Sequence, residues 1–333
     1  MLQGHQTWVY NSKPVIIGSA AIGGPFEAKG NLAGDFDLLH DDLWLGQDSY
    51  EKAEKKLLEQ ACETAIKKAG LKKEDIQFFL SGDLINQIIP SSFTARTLGV
   101  PYLGLYGACS SSMEGLTIGS LIVDNGFGRN VLVGTSSHNA AAEKQYRYPT
   151  EYGSQKPPTA QWTVTGAGAA VIAPQGEGPR VVASTVGRVI DMGLSDPFNM
   201  GAAMVPAAVD TIEAHFRDLN IEPSDYDLIS TGDLGRVGHE ICKDLLKKHD
   251  VKIPDKIFTD CGILMYKDDQ PVLAGASGCA CVATTTFGHY FNRMRKGKIK
   301  RLLVIATGAL LSPMSYQQKE SIPCVAHAVS LEI

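Results

Sequence analysis

Short apolar segments alternate with helical patterns along the chain. The segment "KPVIIGSAAIGG" predicts a buried strand that runs into a glycine turn. In "DSYEKAEKKLLEQACETAIKKAG", Leu57, Ala61 and Ala65 recur on one helical face, and Asp48 with Glu51 forms a candidate capping box. The next segment, "LKKEDIQFFLSGDL", predicts a polar approach, an apolar strand and a turn. This succession predicts strands that alternate with helices.

The same pattern recurs in the second half of the chain. Asp75 matches Asp225, and residues 82–84 match residues 232–234 (both GDL), at a constant offset of 150 residues. Further on, "YGACSSSMEGL" and "AGASGCACVATTTF" each start with a turn of small residues and continue into a helix and an apolar strand. A match over several elements indicates an internal duplication. Each half therefore predicts an α/β unit with a mainly parallel sheet covered by helices on both faces.

The length of 333 residues exceeds one usual domain, which agrees with two fused halves. We place them at residues 1–173 and 174–333, and the first half carries Cys109. In open parallel sheets, sites lie outside the carboxyl ends of the strands. The small-residue turns 107–112 and 275–281 precede helices at such ends, so we expect them to meet at one pocket.

Residues 138–165 interrupt this pattern with polar and aromatic side chains and a Pro-Pro pair. The segment is too long for a simple turn. We expect it to cap the pocket or a subunit interface.

The composition narrows the class of protein. The 31 basic and 36 acidic side chains give a formal net charge of -5, which offers no general reason to expect nucleic-acid binding. There is no apolar run of about 18 residues, and the N-terminal sequence lacks the layout of a signal peptide. Seven cysteines without metal-site spacing indicate reduced thiols and no metal centre. We therefore expect a cytosolic chain without a membrane anchor.

The amino-acid sequences of several motifs resemble those of known families. The turn "GACSSSMEGL", the segment "TGAGAAVI" and the turn "GASGCA" resemble the thiolase fold, and within it the ketoacyl synthase III branch. That resemblance implies a duplicated five-layered αβαβα fold, and homodimers are common in it. The segments "TGDLGRVG", "DCGILMY", "GASGCACVA" and "SIPCVAHAVSLE" are similar to a narrower family, Stage V sporulation protein AD of spore-forming Firmicutes.

The narrower resemblance implies a function in sporulation. It implies a binding component of the machinery that moves dipicolinic acid, usually with calcium, into the developing spore. The partners it implies are the other stage V sporulation A membrane proteins, through which the chain would lie against the cytoplasmic side of the inner forespore membrane. It implies no cofactor beyond calcium carried with the ligand.

Cys109 matches the nucleophile position of the ketoacyl synthase pattern, at the turn before a helix. A helix N-terminus offers backbone N–H groups and a positive partial charge, which lower a thiol pKa and stabilise an oxyanion. The alternatives are a small buried thiol and a residue that lines a binding pocket without reacting.

The partners of a condensing cysteine are missing. Ketoacyl synthase III relatives have a histidine near residues 231–233 and an asparagine near residues 276–277, where this chain has Thr-Gly-Asp and Ala-Ser. Asp233 beside a thiolate would raise the thiol pKa. Isolated histidines are weak substitutes; the candidates are His138, His239, His289 and His327, the last near Cys324.

The residues that this chain has at these two positions are better suited to binding a ligand than to catalysing a reaction. Dipicolinic acid is a flat dianion, and a host needs hydrogen-bond donors for it. We predict a ligand-binding set of Cys109, Ser110, Asp233 and Ser277, with no catalytic residue. Asp233 would coordinate calcium on the ligand, or else, like Asp83 in the other half, close its own turn. The competing hypothesis is an acyl-transferring enzyme that uses Cys109.

Overall fold

A computed structural model describes residues 1–146 and 156–333. Its strands are β1 Leu2–Gln3, β2 Thr7–Val9, β3 Val15–Gly23, β4 Leu38–Leu39, β5 Phe78–Gly82, β6 Tyr102–Gly104, β7 Val131–Ser137, β8 Trp162–Thr163, β9 Gly166–Ala173, β10 Arg180–Thr185, β11 Leu228–Thr231, β12 Phe258–Asp260, β13 Ala276–Ser277, β14 Arg301–Ala309 and β15 Cys324–Glu332. Its α-helices are α1 Tyr50–Lys68, α2 Ile89–Leu98, α3 Ser111–Asp124, α4 Asn139–Tyr146, α5 Met200–Leu219, α6 Gly235–Lys248, α7 Cys261–Met265, α8 Cys279–Thr284, α9 Phe291–Arg295 and α10 Pro313–Gln317. A π-helical segment, Thr285–Tyr290, joins α8 to α9.

Each half contributes five strands in the same spatial order. The first half gives β3-β9-β7-β5-β6 and the second gives β10-β15-β14-β11-β12. In the first half β9 runs antiparallel to β3 and β7, while β5 runs parallel to β6 and β7, so four strands share one direction. The strand order confirms the predicted duplication. The two sets of strands touch where Arg180 pairs with Val15.

The strands are buried on both faces, which explains their nearly continuous apolar sequences. In β7, Val131 and Val133 face the core between the two sheets, whereas Leu132 faces α1. In β14, Val304 faces the same central core and Ile305 faces the outer core below α5. Side chains that alternate between two cores anchor a layer on each side of a strand.

The helices form the remaining layers. The pair α1 and α2 packs on the outer face of the first sheet, and α5 and α6 pack on the outer face of the second. Helix α3 contacts strands of both sheets, and α8 packs beside it, so these two form the middle layer. The result is the expected five-layered αβαβα arrangement.

The first helix begins differently from the prediction. The N-cap of α1 is Ser49, whose Oγ accepts a hydrogen bond from Lys52 N at 3.2 Å. Asp48 instead forms an exposed ion pair with Lys52. A serine hydroxyl with extended backbone meets the free amides of the first turn directly, so the capping box predicted for Asp48 is wrong.

Candidate functional site

The two small-residue turns meet, as the sequence predicts. Cys109 lies in a short 3-10 turn just before α3. The Cys279 thiol, at the start of α8, donates to Ala108 O at 3.0 Å. Ala108 has a φ of 48°, a left-handed conformation that is unfavourable for an alanine. This sharp turn holds Cys109 at the junction of the two halves.

Close backbone contact from β14 supports the turn. A Cβ atom added at Gly308 would lie 2.0 Å from Gly107 O. No side chain fits in that space, so the end of β14 packs directly against the turn that carries Cys109.

Asp233 follows β11 and is fully buried. Its Oδ1 accepts a hydrogen bond from Thr307 Oγ1 at 2.8 Å. Its Oδ2 accepts from Gly278 N at 3.0 Å and from Ser277 Oγ at 3.1 Å. The Cys109 thiol lies near this carboxylate, and the two groups influence each other's pKa. Because a carboxylate has about four acceptor positions, the three hydrogen bonds occupy most of the hydrogen-bonding capacity of Asp233.

Asp233 does not repeat the role of its counterpart in the first half. Asp83 Oδ1 accepts from Ile85 N at 2.9 Å, an Asx bond within its own turn, and its Oδ2 accepts from Ser91. At the second turn this local role falls to Asp260, which accepts hydrogen bonds from Leu234 N and Gly235 N. Asp233 is therefore free to accept hydrogen bonds from the turn at Ser277 and Gly278.

The electrostatics around Cys109 oppose its use as a nucleophile. Burial raises the pKa of the Cys109 thiol well above its usual value, and the negative charge of Asp233 raises that pKa further. Burial also raises the pKa of Asp233, although its hydrogen bonds partly offset the effect. The helix N-terminus favours a lower thiol pKa, but desolvation and the neighbouring carboxylate of Asp233 outweigh it.

A cavity of about 500 Å³, its open mouth included, lies beside this cluster. Cys109 and Ser277 line it, together with Thr163, which is the neighbour of Ser277 in the β8–β13 pair. The remaining lining is apolar: Leu84, Ala142, Tyr146, Met200, Met204, Ala309 and Leu311. No Lys, Arg or His of the described chain lines the cavity. It is a largely apolar cavity with one polar wall.

The described part of the segment 138–165 contributes to this cavity through α4 and Thr163. In addition, Gln161 Nε2 donates to Asp233 O at 2.6 Å, which ties the segment to the polar wall. Residues 147–155 of the segment lie outside the described residues. The described ends agree with the expected capping role.

Ser110 is near the cluster but turned away from the cavity. Its side chain is fully buried, and its Oγ donates to Gly107 O at 2.6 Å. Ser111 Oγ likewise donates to Ala108 O at 2.8 Å. Both hydroxyls stabilise the turn itself. The structure thus brings together Cys109, Asp233 and Ser277 of the predicted set, while Ser110 lies behind them.

The candidate histidines contact other parts of the molecule, and none lines the cavity. Their ring nitrogens contact the following atoms: His138 with Leu43 O at 2.9 Å, His239 with Thr231 Oγ1 at 3.3 Å, His289 with Asp35 Oδ2 at 2.6 Å and His327 with Gly187 N at 3.2 Å. Cys324 and His327 are three residues apart in β15, so their side chains point to opposite faces of the strand. They do not form a dyad.

Two groups that hold Asp233 were missed in the sequence, namely Thr307 Oγ1 and Gly278 N. The internal repeat contains a pattern that indicates a role for Thr307 at the site. Both β7 and β14 are apolar strands that carry hydroxyl residues near their carboxyl ends, in "VLVGTSS" and "LVIATGA". Hydroxyls at the carboxyl ends of two equivalent strands lie where a site is expected.

The described residues contain neither a metal-binding cluster nor a helix suited to cross a membrane. Within residues 1–146 and 156–333, no three His, Cys, Asp or Glu side chains are grouped as a metal ion would require. Across the same ranges, no helix has the length and apolar character needed to cross a bilayer.

Solved structures share this architecture. Cerulenin-bound OleA from Xanthomonas campestris aligns over 98% of this chain and 100% of that chain, with a TM-score of 0.63 and 15% identity. 3-Oxoacyl-[acyl-carrier-protein] synthase III from Aquifex aeolicus VF5 aligns over 96% of this chain and 100% of that chain, with a TM-score of 0.55 and 15% identity. The chain therefore has a thiolase-like fold.

The sequence comparison is more specific. Residues 4–332 match the family Stage V sporulation protein AD. Stage V sporulation protein AD of Bacillus subtilis (strain 168) is 50% identical over 332 residues, which are 99% of this chain and 98% of that protein. The chain belongs to the Stage V sporulation protein AD family, a family of sporulation proteins.

Proposed function

We propose that this sporulation protein binds dipicolinic acid, free or as its calcium complex, for uptake into the developing spore, and that it does so without catalysis. The observation that carries the proposal is the convergence of Cys109, Asp233 and Ser277 at the polar wall of one cavity.

The side chains that line the cavity favour a ligand whose negative charge is neutralised. Since the described lining includes no cationic side chain, a bare dianion would lose its hydration without gaining an ionic partner. Calcium or protons on the two carboxylates remove that cost. The apolar side chains Met204 and Leu311 suit the faces of a flat aromatic ring.

Calcium on the ligand can approach Asp233 only from the cavity. Ser277, which donates to the Asp233 carboxylate, and Cys109, which lies near it, both line the cavity. The Ser277 side chain can rotate toward the ligand and open one carboxylate oxygen position to the metal. Oxygen donors are the ligands that calcium prefers, so this exchange fits the calcium complex.

The site also argues against acyl transfer. A raised thiol pKa leaves little thiolate at neutral pH, and no histidine of the described chain lines the cavity to remove the proton. The sharp turn at Ala108 keeps the geometry of a nucleophile turn without an activated thiol.

Titration calorimetry with dipicolinate, with and without calcium, tests the proposal. Asp233→Asn and Ser277→Ala should weaken binding by roughly 10-fold to 100-fold, the usual effect of losing a hydrogen bond to a charged group. Cys109→Ala should also weaken binding. Its matched control is Cys62→Ala, which removes another buried thiol, on the buried face of α1, and should leave binding unchanged.

Two measurements distinguish the proposed binding function from acyl transfer. Absence of saturable heat with the wild-type protein would contradict the proposed function. Intact-mass analysis after incubation with acyl thioesters should show no adduct, whereas an acyl adduct on Cys109 would support the acyl-transferring enzyme instead.

We further propose that the chain acts as a homodimer on the cytoplasmic side of the inner forespore membrane, held there by other stage V sporulation A membrane proteins. Analytical ultracentrifugation should give the dimer mass. Membrane fractions of sporulating cells should retain the protein, and deletion of those membrane partners should release it.

A further inference from the structure

A second pocket adjoins the cavity and shares a wall with it. The outer pocket has a volume of about 630 Å³, open solvent included, and is lined by Leu84, Ile85, Asn86, Gln87, Ile88, Gly104, Leu105, Tyr106, Tyr146 and Ser312. Leu84 and Tyr146 line both the outer pocket and the inner cavity beside Cys109. These two side chains therefore separate the two spaces.

The wall is held by hydrogen bonds between the end of α4 and the loop after β5. Tyr146 Oη donates to Leu84 O. Gln145 Nε2 donates to the same carbonyl at 2.8 Å, and Gln145 Oε1 accepts from Asn86 N at 2.9 Å. Together these contacts connect two neighbouring residues of α4 to two residues of the loop, Leu84 and Asn86.

The loop that they hold is strained. Gln87 has a φ of 58° and Ile88 a φ of 48°, so two consecutive residues with side chains adopt the left-handed conformation. That conformation is especially unfavourable for a β-branched residue such as Ile88. Strain of this kind persists only where the surroundings impose it. Loss of the contacts from α4 would allow the loop to relax away from Tyr146.

We propose that Leu84 and Tyr146 form a door between the inner cavity and the outer pocket, and that the outer pocket is a second station through which the ligand passes. The inference rests on the proposed function and deepens it, because it assigns this protein a route for the ligand as well as a site. The strained loop and the hydrogen bonds of Gln145 keep the door closed.

The chemistry of the outer pocket fits the same class of ligand, a flat aromatic dicarboxylic acid. The exposed amide side chains of Asn86 and Gln87 provide N–H donors for carboxylate oxygens. The ring of Tyr106 is 45% exposed, and its hydroxyl is fixed on Leu311 O at 3.2 Å, so its face is available for stacking.

The test loosens the door without touching the cavity lining. Gln145→Ala removes both side-chain hydrogen bonds to the loop, and Gln145 lines neither space. The matched control is Gln270→Ala. Gln270 also donates to one backbone carbonyl, Phe26 O, and accepts from one backbone amide, Lys267 N, but it lies away from both pockets.

Stopped-flow fluorescence gives the association and dissociation rate constants of dipicolinate. For Gln145→Ala we expect both constants to rise by the same factor, about fivefold for the loss of the loop contacts, with an unchanged Kd. Gln270→Ala should match the wild type. Unchanged rate constants in Gln145→Ala, or a change in only one of them, would contradict the proposal that Leu84 and Tyr146 form a door.

A second readout is independent of dipicolinate. Cys109 lies behind the door, so its alkylation by iodoacetamide, followed by peptide mass spectrometry, reports access to the inner cavity. Gln145→Ala should speed this reaction about fivefold, and Gln270→Ala should not. If the wild-type protein fails to bind dipicolinate, the ligand assignment is wrong, and the alkylation rates still decide whether the door exists.

Discussion

Asp233 and Thr307 are joined by two hydrogen bonds. Thr307 Oγ1 donates to Asp233 Oδ1 at 2.8 Å, and Asp233 N donates to Thr307 Oγ1 at 3.2 Å. One hydroxyl thus fixes both the backbone and the carboxylate of a residue 74 positions away in the sequence. This pair orients the polar wall of the cavity.

We expect Thr307→Val, which keeps the shape and removes the hydroxyl, to destabilise the fold by about 1.5–3 kcal/mol, the cost of an unmade hydrogen bond to a charged group. Thr307→Ser keeps the hydroxyl and should recover most of that loss. Urea unfolding of both variants measures the difference. Equal stabilities of the valine variant and the wild type would contradict the pairing.

The Cys109 thiol should react slowly with alkylating reagents. Because burial and Asp233 raise its pKa, the thiolate fraction in the native protein stays below that of a free cysteine, and alkylation should keep accelerating above pH 9. Asp233→Asn removes the like charge and should increase the rate. Rates from iodoacetamide labelling between pH 7 and 10 check this. A plateau below pH 8 would mean that the thiol is activated.

Gly308→Ala should disrupt the junction of the halves. The new Cβ would lie 2.0 Å from Gly107 O, and backbone on both sides limits any relaxation. We expect a loss of several kcal/mol in unfolding free energy, as for other overpacked core sites. The control is Gly34→Ala, where the added Cβ meets nothing within 4 Å. Near-identical melting temperatures of the two variants would contradict this packing.

His215 should make the fold acid-sensitive. It is buried between Thr185 and Tyr226, and burial lowers its pKa from 6.5 to about 3. Between these values the unfolded chain binds a proton that the native state does not, so stability falls as the pH falls. One such group contributes about 1.4 kcal/mol per pH unit, or about 3 kcal/mol from pH 6.5 to about pH 4.

His215→Gln removes that proton uptake. Its unfolding free energy, measured in urea at several pH values from 6.5 to 4.5, should fall less steeply with acidification than that of the wild type. The variant is expected to be less stable at pH 7, where its packing and hydrogen bonds are impaired. Parallel pH profiles of the two proteins would show that His215 is not the group responsible.

Much of the architecture can be predicted from local sequence patterns. The duplicated GDL turns at 82–84 and 232–234 predicted two equivalent halves, and apolar strands that alternate with helices predicted buried sheets with helical layers. The small-residue turns predicted where the halves meet. Spacing of apolar and small residues determines such features, because it sets which faces must be buried and where the backbone can turn.

The site itself depended on contacts that no local pattern contains. Ser110 stands beside Cys109 in sequence, yet its hydroxyl turns back to Gly107 O, while Thr307 reaches Asp233 from another strand. The direction of the thiol pKa likewise follows from packing. From the sequence, the helix N-terminus favours a lower pKa of Cys109 and Asp233 favours a higher one; in the folded protein, burial is the largest influence and acts with Asp233 to raise it.

The sequence by itself determined the fold, the family resemblance and the position of the cysteine turn. Only the tertiary structure decided which side chains face the cavity, which carboxylate is held by the cluster and which merely closes a turn, and which charge state each prefers. The physical reason is that desolvation and hydrogen bonding depend on distances between residues far apart in the chain, and these distances exist only after folding.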